Sequence, residues 1–218
     1  MSGAEIKAVL WDFGGVILTS PFAAFRRYET EKGLPQDYIR GLNARNPHDN
    51  AWAKLERSDV DIDGFCELFE AESRAAGHEV SGTDVLKLLA GEVRPEMVAA
   101  LRTVAANYKT ACLTNNARLG DGPGMARTPE KARAIAEIMT IFDAVIESSA
   151  VGVRKPEPRF YEIACERLGI APTEAVFLDD LGINLKPARA MGMRTIKVGE
   201  PAQAIADLEA VLGISLTG

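Results

Sequence analysis

A Rossmann-like, doubly wound α/β fold with a helical segment inserted after its first strand is predicted by three features of this chain. Short apolar or β-branched runs recur at residues 7–12, 109–114, 143–147, 175–179 and 194–198; helix-period stretches lie between and after most of them; and residues 19–93 carry helical patterns without a convincing strand. Runs that read as buried rather than alternating suit strands covered on both faces, which is the condition of a parallel sheet. Strands of that kind alternating with helices give the doubly wound class.

The first run ends Val9-Leu10-Trp11-Asp12-Phe13-Gly14-Gly15, so a strand closes on one carboxylate and then on two glycines that allow close backbone approach. Residues 19–93 read as a helical cap domain over the strand ends, leaving 1–18 and 94–218 as the α/β core. Pro95 opens a helix with Val98, Leu101 and Ala105 on one stripe, and Thr128-Pro129 starts another that leads to Ile135, Ile138 and Met139. Tyr161, Ala164, Cys165 and Leu168 repeat at helical spacing before Gly169, and Ile205, Leu208 and Leu212 do so before Gly213. The Gly/Pro-rich stretch from Leu119 to Met125 is expected to form a shorter loop on the face of the strand ends.

With 218 residues, 47% of them apolar, the chain can bury a full core, and it reads as a cytoplasmic protein without a signal peptide or bilayer-spanning run. A net charge of -6 disfavours nucleic-acid binding, which rests on clustered Lys and Arg. An anionic substrate must then be met by a local positive group. Cys66, Cys112 and Cys165 lie far apart and read as packed thiols rather than a disulfide framework, and His48 and His78 alone make a zinc site improbable.

Ligands of open parallel sheets bind beyond the carboxyl ends of the strands. Asp12, Thr114 with Asn115, Lys155 in Arg154-Lys155-Pro156-Glu157-Pro158, and the pair Asp179-Asp180 all fall at or just past such ends. Singly, each has an ordinary reading: Asp12 as a turn residue, Thr114 as a strand end, Asp179 as a helix cap, Lys155 as a solvated charge. Four such motifs converging on one crevice outweigh those readings. A carboxylate nucleophile, a hydroxyl, an ammonium and paired carboxylates suit phosphoryl transfer, which needs alignment and countercharge more than covalent help.

In these motifs and their order, the chain resembles the haloacid dehalogenase-like hydrolase superfamily, in the subgroup whose helical cap follows the first strand. It is most similar to the phosphatase domains at the N-terminus of soluble epoxide hydrolases, over Phe142 to Pro158 and Phe177 to Pro187. The resemblance implies a Mg²⁺-dependent phosphatase acting on a small phosphorylated metabolite, monomeric or homodimeric, with Asp12 forming an aspartyl-phosphate. It implies Asp12, the backbone carbonyl of Gly14 and Asp180 as metal ligands, with Asp179 and Asn184 behind them. It further implies Thr114 and the amide of Asn115 on the phosphoryl oxygens, and Lys155 neutralising both phosphoryl group and nucleophile.

One position departs from the family pattern. Phosphatases of this superfamily carry a proton-donating aspartate two residues after the nucleophile, where this chain has Gly14. Two alternatives therefore stand beside the phosphatase. One is a 2-haloacid dehalogenase, which uses the same aspartate on carbon without a metal; the other is a weakly catalytic ligand-binding or dimerisation domain. Asp12-Phe13-Gly14 spells the kinase magnesium tripeptide, but the other kinase motifs are missing. Asp59 to Glu70 matches an EF-hand pattern, yet Ile62, Phe65, Cys66 and Phe69 run at helical spacing through it, which predicts a helix capped by Asp61. His48 and Trp52 read as a loop histidine and a core tryptophan of the cap.

Overall fold

The computed structural model describes residues 4–116 and 128–216, so the loop expected from Leu119 to Met125 lies outside the described residues. Five parallel strands, β1 Ala8–Trp11, β2 Lys109–Thr114, β3 Ala144–Glu147, β4 Ala175–Asp179 and β5 Arg194–Lys197, stand side by side in the order β3-β2-β1-β4-β5. Each falls within its predicted run. The helices are α1 Phe22–Lys32, α2 Tyr38–Ala44, α3 Ala51–Arg57, α4 Ile62–Ala75, α5 Gly82–Leu88, α6 Pro95–Ala105, α7 Pro129–Met139, α8 Ser148–Val151, α9 Pro158–Leu168, α10 Gly182–Ala190 and α11 Pro201–Leu212.

Side-chain alternation along the strands feeds two apolar layers. Val9 and Trp11 of β1 join Cys112, Val176 and Leu178 on one face, under Leu101 and Val104 of α6 and Leu208 of α11. Ala8 and Leu10 join Ala111, Leu113 and Phe177 on the other, under Phe160, Tyr161 and Ala164 of α9 and Leu185 of α10. The buried stripe of α6 is Met97, Ala100, Leu101 and Val104, which corrects the expected one: Val98 and Ala105 flank it and are only partly buried. The helix is apolar over a wide arc, and its rotation is set by packing beneath the sheet rather than by its own sequence.

Local sequence explains most helix boundaries. Asn50, Asp61 and Thr128 each accept an amide hydrogen bond at the start of α3, α4 and α7, at 2.9, 2.9 and 3.2 Å. Asp61 thus caps α4, and the helix runs through the EF-hand-like stretch; Asp59 is paired with Arg57 at 2.9 Å instead. The helices from α1 to α5 share their own apolar cluster, in which Trp52 lies 4.7 Å from Phe65 ring to ring. The chain segments entering and leaving this group pair with each other: Leu18 bridges Val93, the Thr19 amide donates to the Glu92 carbonyl at 2.7 Å, and the Arg94 amide to the Ile17 carbonyl at 2.9 Å.

Candidate active site

The site forms where the chain reverses direction across the sheet. From β1 the chain goes to β2 on one side, while β4 pairs on the other, so Asp12 emerges between Thr114 and Asp179. The ladder extends one residue past β1, since the Asp12 amide donates to the Leu178 carbonyl at 2.9 Å. The Asp12 side chain then turns back, and its Oδ1 accepts from the Phe13 amide at 2.7 Å. Gly15, at φ +83, completes the turn in a backbone region that L side chains avoid.

Gly15 also sets the position of Asp180. An ideal Cβ at Gly15 falls 2.8 Å from Asp180 Oδ1 and nearer still to Oδ2 and Cγ. The Asp180 carboxylate therefore rests directly on the glycine backbone. Gly14 is different: its φ of -74 and ψ of 126 suit any residue, and a Cβ there meets nothing within 4 Å.

Lys155 is the centre of charge. Its side chain is only 2% exposed, and Nζ lies 2.7 Å from Asp12 Oδ1 and 2.9 Å from Asp179 Oδ2. Burial alone would weaken this ammonium, but the two carboxylates outweigh it and hold Lys155 charged well above the usual lysine range. The loop behind it is fixed by Asn115, whose side chain accepts from the Lys155 amide at 2.8 Å and donates to its carbonyl at 3.0 Å. The Asn115 side chain thus positions Lys155. Thr114, the last residue of β2, is buried next to it.

Asp179 is fully buried and heavily bonded. Beyond Lys155, it accepts from the Leu181 amide at 2.8 Å and from Asn184 Nδ2 at 3.1 and 3.0 Å. It helps shape the start of α10, but its bonds also tie the lysine and the helix into one unit. Asn184 is anchored in turn, because Tyr161 donates its hydroxyl to the Asn184 carbonyl at 2.7 Å. Asp180 completes the group: carboxylate oxygens of Asp12, Asp179 and Asp180 lie within 4.8 Å of one another, the one such cluster found among the described residues. Burial pushes the Asp12 carboxyl up to about 8 despite Lys155, and burial with the nearby Asp179 pushes Asp180 up to about 6. When all three are ionised, these carboxylates and the one ammonium carry two negative charges in excess. A divalent cation at these oxygens offsets that excess, and all-oxygen donors suit a hard cation.

The structure thus brings Asp12, Lys155, Asp179, Asp180 and Asn184 together in direct contact or within one carboxylate cluster, and places Thr114 and Asn115 on the neighbouring strand end. His48 is exposed and Trp52 is packed in the apolar cluster of α1 to α5. Sequence reading missed Gly15, Tyr161 and Arg154 as parts of the site's framework. The paired glycines were a signal for the first; nothing in the helical stripe distinguished Tyr161. Arg154 stood beside Lys155 in the motif, and it reaches α3, with Nε 2.5 Å from Glu56 Oε2 and a guanidinium nitrogen 2.8 Å from the Pro47 carbonyl.

The sequence pattern of haloacid dehalogenase-like hydrolases matches residues 6–192, which takes in every residue of this site. The chain belongs to that hydrolase family. Among curated relatives of this hydrolase, bifunctional epoxide hydrolase 2 of Mus musculus is 32% identical over 220 residues, covering 95% of the chain and 39% of the relative. The chain spans 20% to 40% of the length of the mammalian relatives it matches. Phosphatase MT3486 of Mycobacterium tuberculosis is 27% identical over 210 residues, with 91% of this hydrolase and 90% of the relative covered. In structure, the hydrolase is similar to a HAD family enzyme from Bacteroides thetaiotaomicron in complex with magnesium and inorganic phosphate, at a TM-score of 0.57 and 19% identity over 89% of this chain and 94% of that one.

Proposed function

We propose that this hydrolase is a Mg²⁺-dependent phosphatase that takes the phosphoryl group from a small phosphorylated metabolite through an aspartyl-phosphate on Asp12. The observation that carries the reading is Lys155, buried at 2.7 and 2.9 Å from Asp12 and Asp179, in a cluster where Asp180 adds a third carboxylate and one ammonium cannot balance all three once they are ionised. A dehalogenase attacking a carbon–halogen bond without a metal has little need of Asp180. A phosphatase needs it, because an anionic substrate must approach an anionic nucleophile.

Asp12, the Gly14 carbonyl and Asp180 would hold the cation, with Asp179 and Asn184 fixing the loop behind them. Bound there, Mg²⁺ supplies the countercharge that brings phosphate and nucleophile together. Lys155 neutralises the phosphoryl oxygens and keeps Asp12 oriented, and Thr114 with the Asn115 amide binds a phosphoryl oxygen. Residues 19–93 act as a cap domain over the crevice, docked onto the core through the Arg154–Glu56 pair and a Ser58 hydroxyl bond to the Ser149 carbonyl at 3.3 Å. The phosphatase relative from Mycobacterium tuberculosis supports the reaction, and the magnesium and phosphate complex of the Bacteroides enzyme supports the metal. Three free thiols suit work in a reducing compartment such as the cytoplasm.

Phosphate release from p-nitrophenyl phosphate, with and without Mg²⁺, tests the proposal. Turnover that needs Mg²⁺ and disappears in Asp12→Asn, with the variant still folded, is the expected result. Chloride release from a 2-chloroacid, with no phosphate release from any ester, would refute it in favour of dehalogenation.

A further inference from the structure

Displacing an alkoxide from phosphorus calls for a proton on the leaving oxygen, whereas a carboxylate or phenolate leaves without one. The described side chains joined to Asp12 offer no such proton. The Lys155 ammonium is turned onto Asp12 and Asp179, at 2.7 and 2.9 Å, so in this geometry it serves as a charge beside the nucleophile and not as a donor to the leaving oxygen. Asp179 has zero exposure, and its oxygens are taken up by Lys155, the Leu181 amide and Asn184, so it does not face the leaving oxygen. Asp180 is taken up by the cation in the proposed reading. The Thr114 hydroxyl is no stronger an acid than the alcohol it would have to protonate.

The space next to the nucleophile is equally telling. Gly14 is exposed, has backbone angles open to any residue, and has no atom within 4 Å of the place its Cβ would take. Nothing in the fold requires glycine there, in contrast to Gly15. The chain thus leaves open, two residues from Asp12, a place that could hold a side-chain acid and does not.

We infer that, within the phosphatase reading, the substrates of this site carry their phosphoryl group on an acidic oxygen, acyl phosphates above all, rather than on an alkyl alcohol. In the first half, an Asp12 oxygen bonds to phosphorus while the bond from phosphorus to the substrate carboxylate breaks, its electron pair leaving with that carboxylate. One acyl phosphate replaces another and no proton moves. In the second half, water adds to phosphorus, the bond to Asp12 breaks with its pair returning to the carboxylate, and both water hydrogens leave on inorganic phosphate.

The test measures kcat/KM of the full chain with Mg²⁺ on acetyl phosphate, a series of substituted phenyl phosphates and glycerol phosphate. Since general acid help is worth about 10²–10⁴-fold, acetyl and phenyl phosphates should exceed glycerol phosphate by a factor in that range, with a steep dependence on leaving-group pKa across the phenyl series. Gly14→Asp should raise the ratio of glycerol phosphate to phenyl phosphate turnover at least tenfold, and Gly14→Asn, which fills the same space without a proton, should not. A flat dependence in the wild type overturns the inference by itself, whether or not the variants fold, and so does an equal ratio in the two variants. No Asp12-dependent phosphate release from any of these compounds would instead remove the phosphatase reading beneath it.

Discussion

Gly15→Ala separates what the fold needs at the paired glycines from what the chemistry needs. An alanine at φ +83 pays the left-handed penalty, about 1–2 kcal/mol, which outweighs the unfolded-chain entropy that alanine usually saves over glycine. In a chain of this size that lowers the melting temperature by roughly 2–8 °C. The steric conflict adds little to this, because the atoms struck belong to the Asp180 carboxylate, the far end of a side chain that can turn away. Its effect falls on function. A Cβ sits 2.8 Å from Oδ1 and closer to the other carboxylate atoms, so relief to ordinary contact distance moves the carboxylate by about 1 Å. A displacement of that size in a reacting assembly is worth about 10²-fold in rate. Titrating Mg²⁺ into a phosphate-release assay should show a raised half-saturation and a reduced kcat, beside a thermal melt that is only modestly lower. Gly14→Ala is the paired control for stability: with open space and ordinary angles it should gain about 0.4–1 kcal/mol. If Gly15→Ala keeps the wild-type Mg²⁺ response, or if Gly14→Ala is the less stable of the two, the assignment of Asp180 to a backbone-defined position is wrong.

Three further outcomes follow from the same geometry. Asp12 and Asp180 have folded-state pKa values raised to about 8 and about 6, so the metal-free folded state binds protons more tightly than the unfolded chain, and their contribution to stability falls as pH rises from about 4 to 8. Mg²⁺ should therefore raise the melting temperature more at pH 8 than at pH 5; an equal or smaller shift at pH 8 would contradict the charge argument. Asp180→Ala should weaken Mg²⁺ binding by calorimetry together with activity, while Asp59→Ala, which touches only the Arg57 pair, should change neither; calcium binding that Asp59→Ala removes would restore the EF-hand reading. The Arg154–Glu56 pair, 13% and 17% exposed, should give single-variant losses of about 1–3 kcal/mol for Arg154→Met and Glu56→Leu that are largely recovered in the double variant, and purely additive losses would show the two are not coupled.

The three inner strands β1, β2 and β4 could be read from the sequence because they lie buried on both faces, and burial of that kind leaves a largely apolar run that ends on a carboxylate or hydroxyl, whereas the edge strands β3 and β5 are only partly buried. The positions of Asp12, Thr114 and Asp179 follow from that pattern alone. What it could not supply is anything decided by a rotation or by a long-range partner. The stripe of α6 shifted from Val98 and Ala105 to Met97, Ala100 and Val104 because several of its faces are apolar and only the sheet chooses among them. Gly14 and Gly15 are the same letter, and only the backbone angle tells the one that is required from the one that is not.

Asp179 shows the same limit from the side of charge. Its place before α10 made a helix cap a fair reading, and its bond to the Leu181 amide is of that kind. Its significance comes from Lys155, 24 positions earlier in the chain, which a cap would not need and which a buried carboxylate cannot do without. A single acid there would be satisfied by the lysine; the site instead places Asp12 on the same ammonium and Asp180 beside the two carboxylates. An excess of like charge in a buried place is destabilising unless protons or a cation balance it. The folded chain therefore gathers a group of carboxylates that could hold a cation, a feature that no local stretch of its sequence states.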